Sequence, residues 1–175
     1  HNLLKLASIA ATDGLYYKPR IDMDLLKKYH EGIICLSACL QGDIPAKLLA
    51  GDKEGAYAKA QELKDIFGED FYIELQYHGL EDQKKVLFPL IQLAKALDIQ
   101  LVATNDVHYV EKKDAFAQRV LMCMSMGKTV TDETALGYGN PDHWYLKSEE
   151  EMTEIFGSIA PEALANTQVI ADKCN

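Results

Sequence analysis

Three short apolar runs, separated by stretches of helical period, constrain this chain more than any other feature. They are Ile33-Ile34-Cys35-Leu36, Phe71-Tyr72-Ile73-Glu74-Leu75-Gln76 and Ile99-Gln100-Leu101-Val102-Ala103. Strands that alternate with helices build parallel βα units, in an open sheet or in a barrel. The first and third runs read as buried strands. The second alternates: Phe71, Ile73 and Leu75 suit an apolar layer, whereas Tyr72, Glu74 and Gln76 share the other face. Three such units cannot close a barrel by themselves.

Local signals set the helices between them. Leu3, Leu6, Ile9 and Ala10 recur at helical spacing, and Asp13-Gly14 closes that helix. Asp22 caps a second helix stopped by Gly32, and Pro45 opens a short one that runs to Leu49 and ends at Gly51. Asp52 caps the next, with Gly68 as its stop. The segment from Glu81 to Leu97 is helical, with Pro89 marking a kink or the end of a short turn. Another helix runs from about Lys112 to Met126. After Gly127 the character changes: Gly137, Gly139 and Pro141 mark a loop, and two helices follow without a further clear strand. Ser148 begins the first of these with a capping box to Glu151, and Pro161 begins the second.

Composition excludes several classes. The chain has 175 residues, enough for about one domain, and a net charge of −9. A surface of that sign does not attract a phosphate backbone by bulk charge, although acidic clefts can hold cations. No apolar run approaches the roughly 18 residues of a membrane span, and no signal peptide is evident. Cys35, Cys39, Cys123 and Cys174 form no CxxC pair, which fits a reducing, cytoplasmic setting. The opening His1-Asn2-Leu3 lacks Met and falls inside an amphipathic pattern, so a longer parent is expected.

The chemistry concentrates after the strands. Asp106 and His108, in Thr104-Asn105-Asp106-Val107-His108-Tyr109, follow the third strand and point the same way if the backbone is extended. The carboxyl end of a strand is the usual address of an active site in α/β folds. A turn aspartate beside a surface histidine is the plainer alternative. Cys39 follows the first strand in the same manner. A thiolate, an imidazole and a carboxylate on neighbouring strand ends make a partial metal site, unless Cys39 is simply a small buried hydrophobe. Cys35, Cys123 and Cys174 read as core. His78 follows a strand end and either lines the same face or, the favoured reading, is a loop residue; His30 reads as a helix terminator and His143 as lying in a late loop away from the strand ends. Glu74 and Gln76 suit hydrogen bonding inside the sheet layer. A glycine-rich phosphate loop and a nucleophile elbow are both missing.

Several segments together resemble a known family. They are Gly14-Leu15-Tyr16-Tyr17-Lys18-Pro19-Arg20, Leu36-Ser37-Ala38-Cys39-Leu40-Gln41-Gly42, Asp65 to Tyr72, Val102 to Tyr109, Tyr145-Leu146-Lys147-Ser148, Pro161 to Thr167 and Cys174-Asn175. In this order they resemble the PHP (polymerase and histidinol phosphatase) domain of bacterial DNA polymerase III alpha subunits. The resemblance implies an α/β fold: part of a distorted (β/α)7 barrel over residues 1–127, with parallel strands and outer helices. Residues 128–175 would supply the loop and helices that lead to the polymerase palm.

The same resemblance implies divalent metal ions at the strand ends, with zinc expected and manganese or magnesium as alternatives. Cys39, Asp106 and His108 would be ligands, and Asp106 and His108 would also be catalytic. The family's early His-x-His, its Thr-Asp-His-Gly stretch and a ligand glutamate do not occur in this sequence. The implied activity is nucleotide transfer by a magnesium-dependent parent polymerase acting on DNA and deoxynucleoside triphosphates. A PHP phosphoesterase would accompany it, as a 3′–5′ exonuclease or pyrophosphatase. Implied partners are other replisome subunits, among them a sliding clamp and a proofreading subunit, with no membrane. The rival reading is a non-catalytic scaffold that braces the polymerase or docks a proofreading subunit. A free-standing phosphatase is disfavoured by the late helices.

Overall fold

In the computed structural model, which describes residues 1–132 and 141–174, the chain opens with helix α1 (Asn2–Thr12). A small antiparallel pair follows, β1 (Leu15–Tyr16) with β2 (Lys18–Pro19). Asp22 caps α2 (Met23–Tyr29), its carboxylate accepting from the Leu25 N–H at 2.8 Å. Next come β3 (Cys35–Leu36), α3 (Asp43–Leu49) and α4 (Lys53–Phe67), the last capped by Asp52. β4 (Phe71–Leu75), α5 (Glu81–Ala96) and β5 (Gln100–Ala103) complete the alternation. α6 (Ala115–Met126) ends on Gly127, whose φ of +63° suits a residue without Cβ. Ser148 and Glu151 form the expected capping box at α7 (Glu149–Phe156), and Pro161 opens α8 (Pro161–Lys173).

The three apolar runs do become neighbouring parallel strands, in the order β3-β4-β5. The register pairs Cys35 with Phe71 and Leu36 with Tyr72, then Tyr72 with Gln100 through to Leu75 with Ala103. The described residues thus form a three-stranded parallel sheet, consistent with the PHP expectation, and they do not close a barrel. One core joins the sheet to the flanking helices. It includes Ile44, Ala56, Ala60, Phe71, Ile73, Leu75, Leu90, Leu93 and, from the late helices, Phe156, Ala160 and Ala163.

Three expectations are corrected, at β3, α5 and Cys174, and the burial of β4 adds to the reading of its two faces. β3 spans two residues rather than four and is only half-buried, because it is the edge strand with one hydrogen-bonded neighbour. β4 is buried on both faces: Tyr72 is 2% exposed and Glu74 9%. At its start the Lys173 ammonium of α8 donates to the Tyr72 hydroxyl at 3.1 Å. α5 continues as a single helix through Pro89. Lys85, whose carbonyl loses its N–H partner to the proline ring, is exposed, so water can satisfy that group. Cys174 is exposed, because α8 packs through its first half and ends at Lys173. The loop expectation at Gly137 and Gly139 lies outside the described residues.

Candidate metal centre at the carboxyl end of the sheet

Beyond the ends of β4 and β5 the polar side chains form a layer. Thr104 Oγ1 donates to the Glu74 carboxylate, and Gln76 Nε2 donates to the same oxygen at 2.9 Å. Ser37 Oγ accepts the Glu74 N–H at 2.9 Å, which ties the β3 exit to β4. These bonds are the in-layer hydrogen bonding expected of Glu74 and Gln76.

Above that layer lies a cavity of about 320 Å³. Cys39, Asp106 and His108 all line it, together with Gln76, Gln83 and Trp144. Cys39 reaches it from the turn after β3, where its carbonyl accepts the Gly42 N–H at 2.8 Å. Gly42 is required there: a Cβ would stand 2.3 Å from the Ser37 carbonyl oxygen.

Asp106 and His108 meet for a reason other than the expected one. The backbone is not extended at Asp106 but left-handed, with φ of +45°. The turn brings His108 Nδ1 to 2.8 Å from the Asp106 carbonyl oxygen and 4.0 Å from its carboxylate. Both side chains remain about one-third exposed, at 35% and 33%. Thiolate, carboxylate and imidazole are a donor set suited to zinc. Among the described residues, however, no group of three or more His, Cys, Asp or Glu side chains is gathered tightly enough to hold one ion. The donor chemistry and the shared cavity therefore fit part of a metal shell, not a closed one.

Of two further residues behind this site, the sequence reading raised His78 only as an alternative and missed Trp144. His78 does sit in the loop after β4, but buried, at 1% exposure. Its Nδ1 lies 2.8 Å from Gln83 Nε2, and its Nε2 lies 2.9 Å from the Asn105 carbonyl oxygen. Burial pushes its pKa below the ordinary 6.5, against the smaller upward pull of the Asn105 hydrogen bond. Trp144 is the second. Its ring stacks on His78 at 3.8 Å and 7°, and its edge meets His108 at 4.9 Å. The segment holding His143 and Trp144 therefore lies against the strand ends, contrary to expectation. Tyr109 and Tyr145 form an isolated parallel bridge that brings it there. The Trp144 carbonyl accepts the His108 N–H at 2.8 Å. Buried Lys147 donates to the His143 carbonyl and to Asn105 Oδ1, and desolvation lowers its pKa. One sequence signal for His78 did exist, since it falls beyond a strand end with Gln83 one helical turn into the following helix.

The other cysteines take no part. Cys35 packs beside the core, where burial pushes its thiol up to about 11, and Cys123 is buried on α6. His30 ends α2 as expected, its Nδ1 2.7 Å from the Lys27 carbonyl.

The described residues thus present a parallel sheet flanked by helices, with a cavity lined by N-, O- and S-bearing side chains at its carboxyl end. The PHP domain family model matches residues 1–78, the stretch that carries Cys39 and ends at His78. Over 174 residues the chain is 47% identical to DNA polymerase III subunit alpha of Borreliella burgdorferi, covering 99% of this chain and 15% of that protein. It is 46% identical over 175 residues to the subunit of Treponema pallidum, with the same coverage. Against the subunit of Thermus aquaticus it is 40% identical over 176 residues, covering 99% of this chain and 14% of the relative. The chain thus spans about 15% of the length of the first two relatives. No helix among the described residues is long and apolar enough to cross a membrane.

Proposed function

We propose that this chain is the carboxyl-terminal part of a PHP domain within a replicative DNA polymerase alpha subunit, and that it contributes Cys39, Asp106 and His108 to a divalent-metal phosphoesterase site. The observation that carries this reading is that all three donors line one cavity at the carboxyl end of the parallel sheet. A bound zinc, manganese or magnesium ion would lower the pKa of a coordinated water and neutralise phosphate charge. Asp106 would hold or bridge metal, Cys39 would add a soft donor, and His108 would complete this chain's share of the shell. The Glu74-Thr104-Gln76 layer would form the floor beneath them. The substrate would be a phosphodiester at a DNA 3′ end or pyrophosphate. The parent would join deoxynucleotides on DNA with magnesium, in company with a sliding clamp and a proofreading subunit. Residues 128–175 would lead into the polymerase palm.

Testing this requires both the chain and a full-length alpha subunit that contains it. The chain alone is expected to show negligible phosphoesterase and no polymerase activity, because three donors do not close a metal shell. In the full-length subunit, Asp106→Ala and His108→Ala should abolish metal-dependent hydrolysis while nucleotide incorporation continues. Hydrolysis that survives the double substitution would favour the scaffold reading, in which the domain only braces its parent. That second reading draws its support from the ungathered donors.

A further inference from the structure

The functional reading above uses His78 for nothing, although its ring is held on every side. Its own N–H donates to Gln83 Oε1 at 2.6 Å, and this fixes the amide so that Gln83 Nε2–H faces His78 Nδ1 at 2.8 Å. Nδ1 must then accept, so a neutral ring carries its proton on Nε2. Nε2 in turn lies 2.9 Å from the carbonyl oxygen of Asn105, the residue before Asp106. Both ring nitrogens are therefore matched in a single tautomer. The flat face lies on Trp144, whose carbonyl accepts the His108 N–H. One imidazole thus holds the Asp106-Val107-His108 turn from both ends, directly through Asn105 and indirectly through Trp144.

We propose that His78, clamped by Gln83, is a positioning residue that sets the Asp106–His108 turn in its metal-binding geometry; the proposal rests on the functional reading above. The turn needs such a hold. Asp106 occupies a left-handed backbone conformation that a non-glycine residue leaves readily unless its surroundings prevent it. Any buried imidazole needs its nitrogens satisfied; here the partners are Gln83 and the carbonyl of Asn105, the residue next to Asp106. Gln83 and Trp144 each line the cavity that Cys39, Asp106 and His108 share. Groups that hold metal ligands from behind commonly change metal affinity by about 10- to 100-fold.

His78→Phe separates the effects, because it keeps an aromatic ring on Trp144 and removes the hydrogen bonds. Co2+ serves as the probe, read in the full chain through the thiolate charge-transfer band of Cys39, beside amide hydrogen exchange. Co2+ binding is expected to weaken by about 10-fold or more in His78→Phe. Amides of residues 106–109 should exchange about 10-fold faster over and above whatever rise the loss of global stability gives the core amides of β4 and β5. Gln83→Leu, which removes the clamp but leaves the imidazole, should reproduce the effect in smaller measure and serves if His78→Phe fails to fold. Nitrogen shifts of the wild-type ring should report the Nε2–H tautomer. Exchange at 106–109 that rises no more than that of β4 and β5 in both variants, or an Nδ1–H tautomer, would overturn the proposal. If wild-type chain binds no Co2+ yet exchange rises on substitution, the clamp stands and the metal reading of this chain falls.

Discussion

Asp98 and Asp106 stand at opposite ends of β5, and both adopt the left-handed backbone, with φ of +50° and +45°. Their surroundings share little else. At Asp98 the conformation ends a helix: Ile99 N–H donates to the Ala94 carbonyl at 2.8 Å, and Leu97 N–H to that of Leu93 at 3.0 Å. Lys64 closes the turn by donating to the carbonyls of Leu97 at 2.6 Å and Asp98 at 2.8 Å. The Asp98 side chain itself is fully exposed, with its carboxylate 3.9 Å from the Lys64 ammonium. At Asp106 no helix ends. The left-handed residue there turns a carboxylate toward a cavity shared with a thiol and an imidazole. The same backbone strain thus serves a reversal of the chain at one end and the presentation of a side chain at the other. In α/β folds the amino ends of strands belong to stability and the carboxyl ends to chemistry.

The largest effect that could break this contrast is on activity. In a full-length alpha subunit, Asp106→Ala should reduce metal-dependent phosphoester hydrolysis by at least about 100-fold, at or beyond what loss of a supporting group costs. Asp98→Ala should leave it within error. Comparable losses at both positions, measured on the same phosphodiester, would show that the strand ends are not functionally distinct.

Next in size is the clamp behind the Asp106 turn. His78→Phe should cost about 1–3 kcal/mol near neutral pH, because it strands the Gln83 amide and the Asn105 carbonyl. Its pH dependence carries a definite sign. The folded-state pKa of His78 is depressed below 6.5, so the unfolded chain takes up the proton first as pH falls. The stabilisation from keeping His78 neutral is complete above about 6.5 and is lost as pH drops below it. The gap between wild type and variant, measured by denaturant unfolding, should therefore narrow between pH 7.5 and 5.5. A gap that widens with acid would mean the ring is charged in the folded chain.

Much of the frame was legible because its causes are local. Asp22, Asp52 and Ser148 cap helices with hydrogen bonds to residues three positions away, and Pro161 starts one with its own ring. The strand order followed from alternation alone. Cys39, Asp106 and His108 were singled out by their place after strands and do line one cavity, yet the reason given for the Asp-x-His pair was wrong, since a left-handed turn and not an extended segment brings them together. Contacts across long stretches of sequence were not legible. Trp144 and His78 meet through the late segment, and nothing near either residue announces a partner. Nor was the reach of Lys173, about a hundred residues on, to the Tyr72 hydroxyl legible.

Lys64→Met tests the amino end by itself. It deletes two hydrogen bonds to carbonyls at the close of α5, and should destabilise the chain by about 1 kcal/mol. Co2+ binding at the other end of β5 should not change. A loss of metal affinity in this variant would mean that the whole of β5 shifts as a body and that its two ends are coupled.

The smallest expected effect is also the most direct comparison of the two aspartates. Glycine enters the left-handed region without the Cβ penalty, which is worth roughly 0.5–1 kcal/mol where the native residue gains nothing else from its side chain. At Asp98, whose exposed carboxylate makes only a long surface ion pair with Lys64, Asp98→Gly should raise stability by about 0.5 kcal/mol, reduced by the extra freedom of the unfolded chain. At Asp106 the same exchange removes the same strain, so its thermal midpoint should also hold or rise slightly while Co2+ binding is lost. A site that gives up stability to present a ligand behaves in this way. If Asp106→Gly instead destabilises the chain by more than Asp98→Gly stabilises it, the carboxylate is a structural partner of the turn, and the left-handed aspartates are alike after all.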